Sequence, residues 1–203
     1  MVNRDRLVMD DGQCVEVEAV ESDRQWVRPY RLYRFLTDLE DLLIGVEDNP
    51  TRLHLIRPLV RQLLNSSEWL HYNFLPPDPA TGWSVLMLYN EPEFPITIQT
   101  VVWSPDRVSP IHNHGTWGVV AMLSGQEKNT FWRRSPTADH PDRIEWVGEE
   151  LLTPGDILCL MPDAIHQVEA IGTEPTISFN LYGETDFQRR FEFDRDRHTA
   201  KNF

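Results

Sequence analysis

The chain has 203 residues, 40% hydrophobic and 25% charged, and carries a net charge of −13. That length permits a single domain with a sizeable core. The negative balance argues against nucleic acid or an anionic membrane as the main partner, because phosphate binding needs a positive field. Two cysteines, Cys14 and Cys159, with no CxxC and no framework spacing, argue against a disulfide scaffold. The N-terminal stretch lacks the apolar core of a signal peptide, and no apolar run approaches membrane-spanning length, so the expectation is a cytoplasmic protein.

From Tyr30 to about Val46, the residues Leu32, Leu36, Leu39, Leu43 and Val46 recur at three- and four-residue steps, the stripe of an amphipathic helix. Asn49-Pro50 supplies a second helix start, a capping side chain followed by proline at the first helical position. Leu53, Ile56, Val60 and Leu63 continue on one face, and Pro58 inside that stripe predicts a kink or two shorter pieces. After PPDPATG at 76–82 the period changes. The runs WSVLMLY, ITIQTVVW, WGVVAML, KNTFWRR, DILCL and TISFNLY are short and rich in β-branched and aromatic residues, and turn-forming residues separate them. Ser124-Gly125 and Pro154-Gly155 read as corners, and strands at this spacing predict a sandwich or barrel. In the charged tail, Phe187, Phe191 and Phe193 predict a last strand. Two helices are too small to fold alone, so the expectation is one domain over 1–203, with helices at about 28–75 and the barrel at about 82–195.

Histidines carry the chemistry. His112 and His114 stand one residue apart in SPIHNHGTWGVV. In an extended strand such a pair lies on one face, which puts two imidazoles at chelating distance. His166 sits in a second run, TPGDILCLMPDAIHQVEA. If both strands line one barrel, three neutral nitrogens converge on one divalent ion. His54, His71, His140 and His198 have the character of surface or internally satisfied residues.

The first motif, His112-x-His114 followed by Gly118 and Gly125, and the second, Gly155-Asp156 followed by Pro162 and His166, resemble the paired motifs of the cupin superfamily. That resemblance implies a mainly β fold, a cupin-type double-stranded β-helix barrel with an N-terminal helical segment, holding a metal within its strands. The family usually adds a glutamate four residues after the second histidine. Gly118 stands there, so the resemblance implies a three-histidine site without a carboxylate ligand. Three imidazoles leave the full dication charge on the metal, and they suit iron, zinc, copper and nickel alike.

Within cupins, the region from about 83 to 183 is similar to the cysteine dioxygenase and mercaptopropionate dioxygenase family. The likeness rests on PIHNHGTWGVV, the Ser-Gly turn, PGDILCL, the second-motif histidine and ISFNLYG. It implies Fe(II) at His112, His114 and His166, with zinc, nickel or manganese as other occupants, and a small thiol and dioxygen as partners. Gly118 matches the position where animal members have a cysteine crosslinked to tyrosine, and Tyr182 matches that tyrosine. Ser178 matches the serine of the family's Ser-His-Tyr relay. Asn180 occupies the relay histidine position, where it hydrogen-bonds but takes up no proton near neutral pH. The family's carboxylate-binding arginine or glutamine has no counterpart in Trp83–Tyr89. Arg133 or Arg134 is then a substitute anchor, against the plainer reading of a solvated strand end. Trp117 either walls the pocket or is core, and Cys159 reads as core. The implied activity is oxidation of the thiol to a sulfinate. Two alternatives stand beside it: Lewis-acid isomerisation or hydrolysis on another metal, and a non-catalytic metal-binding module.

Overall fold

A helical stripe needs an apolar face to lie on, and here one face of a sheet supplies it. A computed structural model describes residues 3–18 and 29–203. The described chain begins with strands β1 (Asp5–Val8) and β2 (Cys14–Val17), followed by helices α1 (Leu32–Leu43) and α2 (Asn49–Ser66) and a 3-10 turn at Glu68–Tyr72. Strands β3 (Trp83–Asn90), β4 (Thr97–Trp103), β5 (Ile111–His112), β6 (Gly118–Ser124) and β7 (Gln126–Arg134) come next. They lead to β8 (Ile144–Leu152), β9 (Ile157–Leu160), β10 (Ile165–Ile171) and β11 (Thr176–Tyr182), and β12 (Phe191–Asp194) and β13 (Thr199–Asn202) finish the fold.

The described strands form two sheets, ordered β2-β1-β9-β6-β11-β4-β3 and β13-β12-β5-β10-β7-β8. From β4 to β11 the chain changes sheet at every connection except the β7–β8 hairpin. Four strands of each sheet therefore interleave as two Greek keys, the jelly-roll order of cupins. The fold is mainly β, a double-stranded β-helix, as the motifs implied. Gly125 makes the β6–β7 corner at φ +75°, where an added Cβ would stand 2.8 Å from the Pro175 carbonyl oxygen.

Side-chain alternation sorts the first sheet into two faces. Phe179 on β11 meets Phe35 of α1 edge-on, with ring centroids 6.0 Å apart. Its face, shared through the register by Leu181, Val119 and Ala121, therefore carries the helices. Ser178, Asn180 and Tyr182 lie on the opposite face, towards the second sheet. The larger core cluster joins helices and first sheet through Leu39, Leu53, Ile56, Val60 and Leu63. The predicted helical stripe is that contact.

Four expectations are corrected. The cap of α2 is Asp48, one residue before the expected Asn49; its carboxylate accepts from Thr51 N–H at 2.9 Å. The helix also runs through Pro58 as one element, which overturns the alternative of two shorter pieces. Pro58 removes one backbone bond, but Ile56 and Val60 are buried on either side. Arg57 and Arg61 add a second restraint, both ion-paired to the buried Asp5 of β1. The expected last strand excludes Phe187, which is exposed, and Phe191–Asp194 instead pairs with both β5 and β13. Strand β1 precedes the helices and pairs parallel with β9 in the same sheet, whereas the expectation placed helices first. The expected helical start near residue 28 lies outside the described residues.

Candidate metal centre

His112 ends β5 and stands directly opposite His166 in the antiparallel β5–β10 pair. Directly opposed residues share a face, with Cβ atoms about 5 Å apart. His114 follows in the bend beyond β5, where Gly115 adopts φ +63°. A Cβ there would stand 2.5 Å from the Asp186 carbonyl oxygen, so the bend requires glycine. One ring nitrogen from each histidine falls within 4.8 Å of the others, and His114 Nε2 lies 3.0 Å from His166 Nε2. An ion about 2.1 Å from two nitrogens at right angles places them about 3.0 Å apart.

The outer nitrogens are tied. His112 Nδ1 donates to the Pro110 carbonyl at 2.9 Å, and His166 Nδ1 donates to Asn129 Oδ1 at 3.0 Å. Each of these bonds fixes the tautomer whose Nε2 lone pair faces inward. Lone pairs at such a distance need a proton or a cation between them. Without a metal, the Nε2–H tautomer of neutral His114 donates to His166, and a further proton that would charge the cluster is disfavoured. Removal from water holds all three imidazoles below the ordinary histidine range, and proximity to the other rings deepens the effect for His114 and His166. The donor set therefore fits a divalent metal.

Tyr182 is the register partner of Gly118 across β11 and β6. Its ring stacks on His114 with centroids 4.5 Å apart and planes at 27°. A Cβ on Gly118 would stand 2.8 Å from two Tyr182 ring carbons, so glycine makes room for this ring. The Tyr182 hydroxyl donates to Asn180 Oδ1 at 3.0 Å, and Asn180 Nδ2 donates to Ser178 Oγ at 3.0 Å. The three expected relay residues thus form one hydrogen-bonded row beside the histidines. Burial raises the Tyr182 phenol above its ordinary range. Further along the same face Thr176 donates to Glu127 at 2.8 Å, and burial pushes this carboxyl up to about 7.

Other expected residues lie elsewhere. Arg133 is half exposed and ion-paired to Glu145, and Arg134 lies over the rings of Phe191 and Phe193. Neither reaches the histidines. Trp117 falls on the helix-facing side by the alternation of β6. It is buried near the Arg52 guanidinium of α2, 5.9 Å from its ring centroid, and lines an outer cleft with Leu43 and Phe94. It does not wall the histidine cavity. Cys159 is buried core, its thiol pushed up to about 12.

Arg190 is the cation that sequence reasoning missed. Its guanidinium carbon lies 4.3 Å from the centroid of the Phe203 ring, which in turn meets His112 edge-on at 5.8 Å, and its charge acts on His112, His114 and Tyr182. Its Nε is buried with no hydrogen-bond partner among the described residues. Asn129 was missed as well. An arginine between the turn at 187–189 and strand β12 leaves no periodic signal; Asn129, two residues from Phe131 on β7, falls on the inward face by alternation and was findable as a buried polar residue.

No family model matches the chain. Similar solved structures include an oxalate oxidase in complex with the substrate analogue glycolate (13% identity, TM-score 0.42, 56% of each chain covered). A cupin-2 domain from Rhodospirillum rubrum is 15% identical at TM-score 0.42, covering 52% of this chain and 62% of that one. The cupin domain of an XRE-family transcriptional regulator from Enterobacter cloacae is 16% identical at TM-score 0.38, covering 52% and 99%. The likeness is one of fold. The match spans about half of the oxalate oxidase, 56% of its length. No helix among the described residues is long and apolar enough to cross a membrane.

Proposed function

We propose that the protein is a mononuclear non-haem iron(II) dioxygenase that oxidises a small thiol to a sulfinate. The observation that carries this reading is the convergence of three neutral imidazoles with no carboxylate ligand, beside Tyr182. In the overall change, a thiolate and dioxygen give a sulfinate; sulfur loses four electrons and dioxygen gains four, so no outside reductant is required. Bound iron supplies the electron path between sulfur and dioxygen and the open positions at which both are held.

His112, His114 and His166 hold the metal without neutralising it, which favours an anionic substrate. The Arg190 guanidinium provides the counter-charge for a second anionic group, the role expected of Arg133. Tyr182 keeps its proton across neutral pH; its hydroxyl, donated to Asn180 in the free protein, turns to donate to the oxygen being transferred, while Ser178 and Asn180 hold one another in place beside it. Asn180 makes this row a positioning device, since an amide does not titrate here. A cytoplasmic setting, with no nucleic-acid or membrane partner, belongs to the same proposal.

Metal content of protein purified without added metal comes first, then anaerobic Fe(II) loading and oxygen uptake with a panel of thiols. Iron and uptake with one small thiol are expected. Arg190→Gln should raise KM for a carboxylate-bearing thiol by about tenfold or more and leave cysteamine nearly unchanged. Stoichiometric zinc or nickel with no oxygen uptake on any thiol overturns the proposal.

A further inference from the structure

Residues 202 and 203 pack beside the centre. Asn202, at the end of β13, shares its side-chain amide among the carbonyls of Phe187, Gln188 and Arg190, each at 3.1 Å. That clip binds the final strand to the turn that carries Arg190 and positions the next residue. Phe203 lies edge-on to His112, with centroids 5.8 Å apart and planes at 85°. On its other contact, the Arg190 guanidinium carbon sits 4.3 Å from the ring centroid. One aromatic ring thus touches a metal-ligand histidine and the only guanidinium found beside the histidines among the described residues, while remaining 44% exposed.

We propose that Phe203 is the aromatic gate of the metal centre, limiting the size of molecule that reaches the three histidines and holding the Arg190 guanidinium plane towards the incoming anion. The contacts explain both roles. His112 is only partly buried, and the partly exposed Phe203 ring set edge-on against it covers part of its remaining surface. A ring with the guanidinium over its face at 4.3 Å holds that group in place without consuming its N–H donors, which stay free for a carboxylate. Phe203 is then a specificity-determining residue. This inference rests on metal binding at the three histidines and is independent of thiol oxidation.

Cobalt(II), visible by its d–d bands, serves as the probe, with the full chain as wild type, Phe203→Ala and Phe203→Trp. Stripping of the bound cobalt by dipicolinate is timed, and binding of azide and of glutathione is titrated in the visible spectrum. Phe203→Ala should speed stripping by about tenfold, the scale of one aromatic contact, with less than a twofold change in equilibrium cobalt affinity. It should also narrow the preference for azide over glutathione by about tenfold, and Phe203→Trp should widen it. Melting temperatures of the variants confirm an intact fold, since the side chain is exposed. Unchanged stripping rates and an unchanged preference in proteins that hold cobalt overturn the gate alone. A wild type that takes up no cobalt overturns the metal centre and the gate together, whereas absence of thiol oxidation leaves these readouts in force.

Discussion

One methyl group at position 118 tests the packing that places Tyr182. Gly118 and Tyr182 are direct register partners, and an added Cβ stands 2.8 Å from two carbons of the tyrosine ring. Carbon–carbon contacts settle at about 3.6 Å, so the ring must retreat by roughly 0.8 Å or the strands must part. Retreat disturbs the stack on His114 at 4.5 Å and the hydroxyl's bond to Asn180 at 3.0 Å. Overpacking of this kind costs about 1–3 kcal/mol. For a chain of this size, that lowers the melting temperature by roughly 2–12 °C. The assay is a double-variant cycle of thermal or urea unfolding with Gly118→Ala, Tyr182→Ala and the pair. Beyond the two tyrosine ring carbons, the next nearest atom to the new methyl is Leu160 Cδ1, at an ordinary 3.8 Å. Without the ring, the methyl's cost should then fall to within about 0.5 kcal/mol. A Gly118→Ala penalty that persists undiminished without the ring refutes the reasoning.

His112→Ala and His166→Ala should each abolish stoichiometric metal binding while far-UV circular dichroism stays near wild type, because the barrel has its own core; unchanged metal content contradicts the ligand set. Tyr182→Phe should retain the metal and slow turnover by about tenfold to a hundredfold, the scale of one hydrogen bond at a charged centre, and unchanged turnover removes Tyr182 from the reaction. Asn180→His should introduce a new inflection in the pH–rate profile near neutrality, where wild type has no such group in this row. Metal-free protein should lose stability on acidification. His114 and His166 titrate in the folded state well below the unfolded value of about 6.5, so above that pH both states are neutral, and below it only the unfolded chain gains protons. Urea unfolding should show stability falling as pH drops from about 6.5, by up to about 1.4 kcal/mol per unit for each histidine. The raised Glu127 carboxyl titrates in the same window with the opposite sign, so the measurement is made in a Glu127→Gln background, where a flat profile between pH 7.5 and 5.5 contradicts it.

Much of this arrangement was legible locally. The helical stripe of 32–43, the corner at Gly125, the strand carrying ISFNLY and the one-face placement of Ser178, Asn180 and Tyr182 follow from short-range periodicity. Edge strands were harder. In IEWVGEELL, Glu145, Glu149 and Glu150 interrupt the apolar signal because β8 has a free side. Strands β1 and β2 are only four residues each.

The chain by itself determined that two histidines stand one residue apart and that a third occupies a second motif of the same kind; the expected shared strand face fails, because β5 ends at His112 and His114 lies in the bend beyond it. Only the tertiary structure decided that His166 pairs across from His112, that Asn129 meets its Nδ1, and which arginine lies near them. Arg133-Arg134 and Arg189-Arg190 read alike along the chain. Yet Arg133 meets Glu145 at the surface, Arg189 meets Asp163, and Arg190 alone lies beside the histidines and under Phe203. Side-chain spacing follows from backbone geometry within one element. Which charge ends up away from water depends on elements far apart in sequence, and no local pattern encodes that.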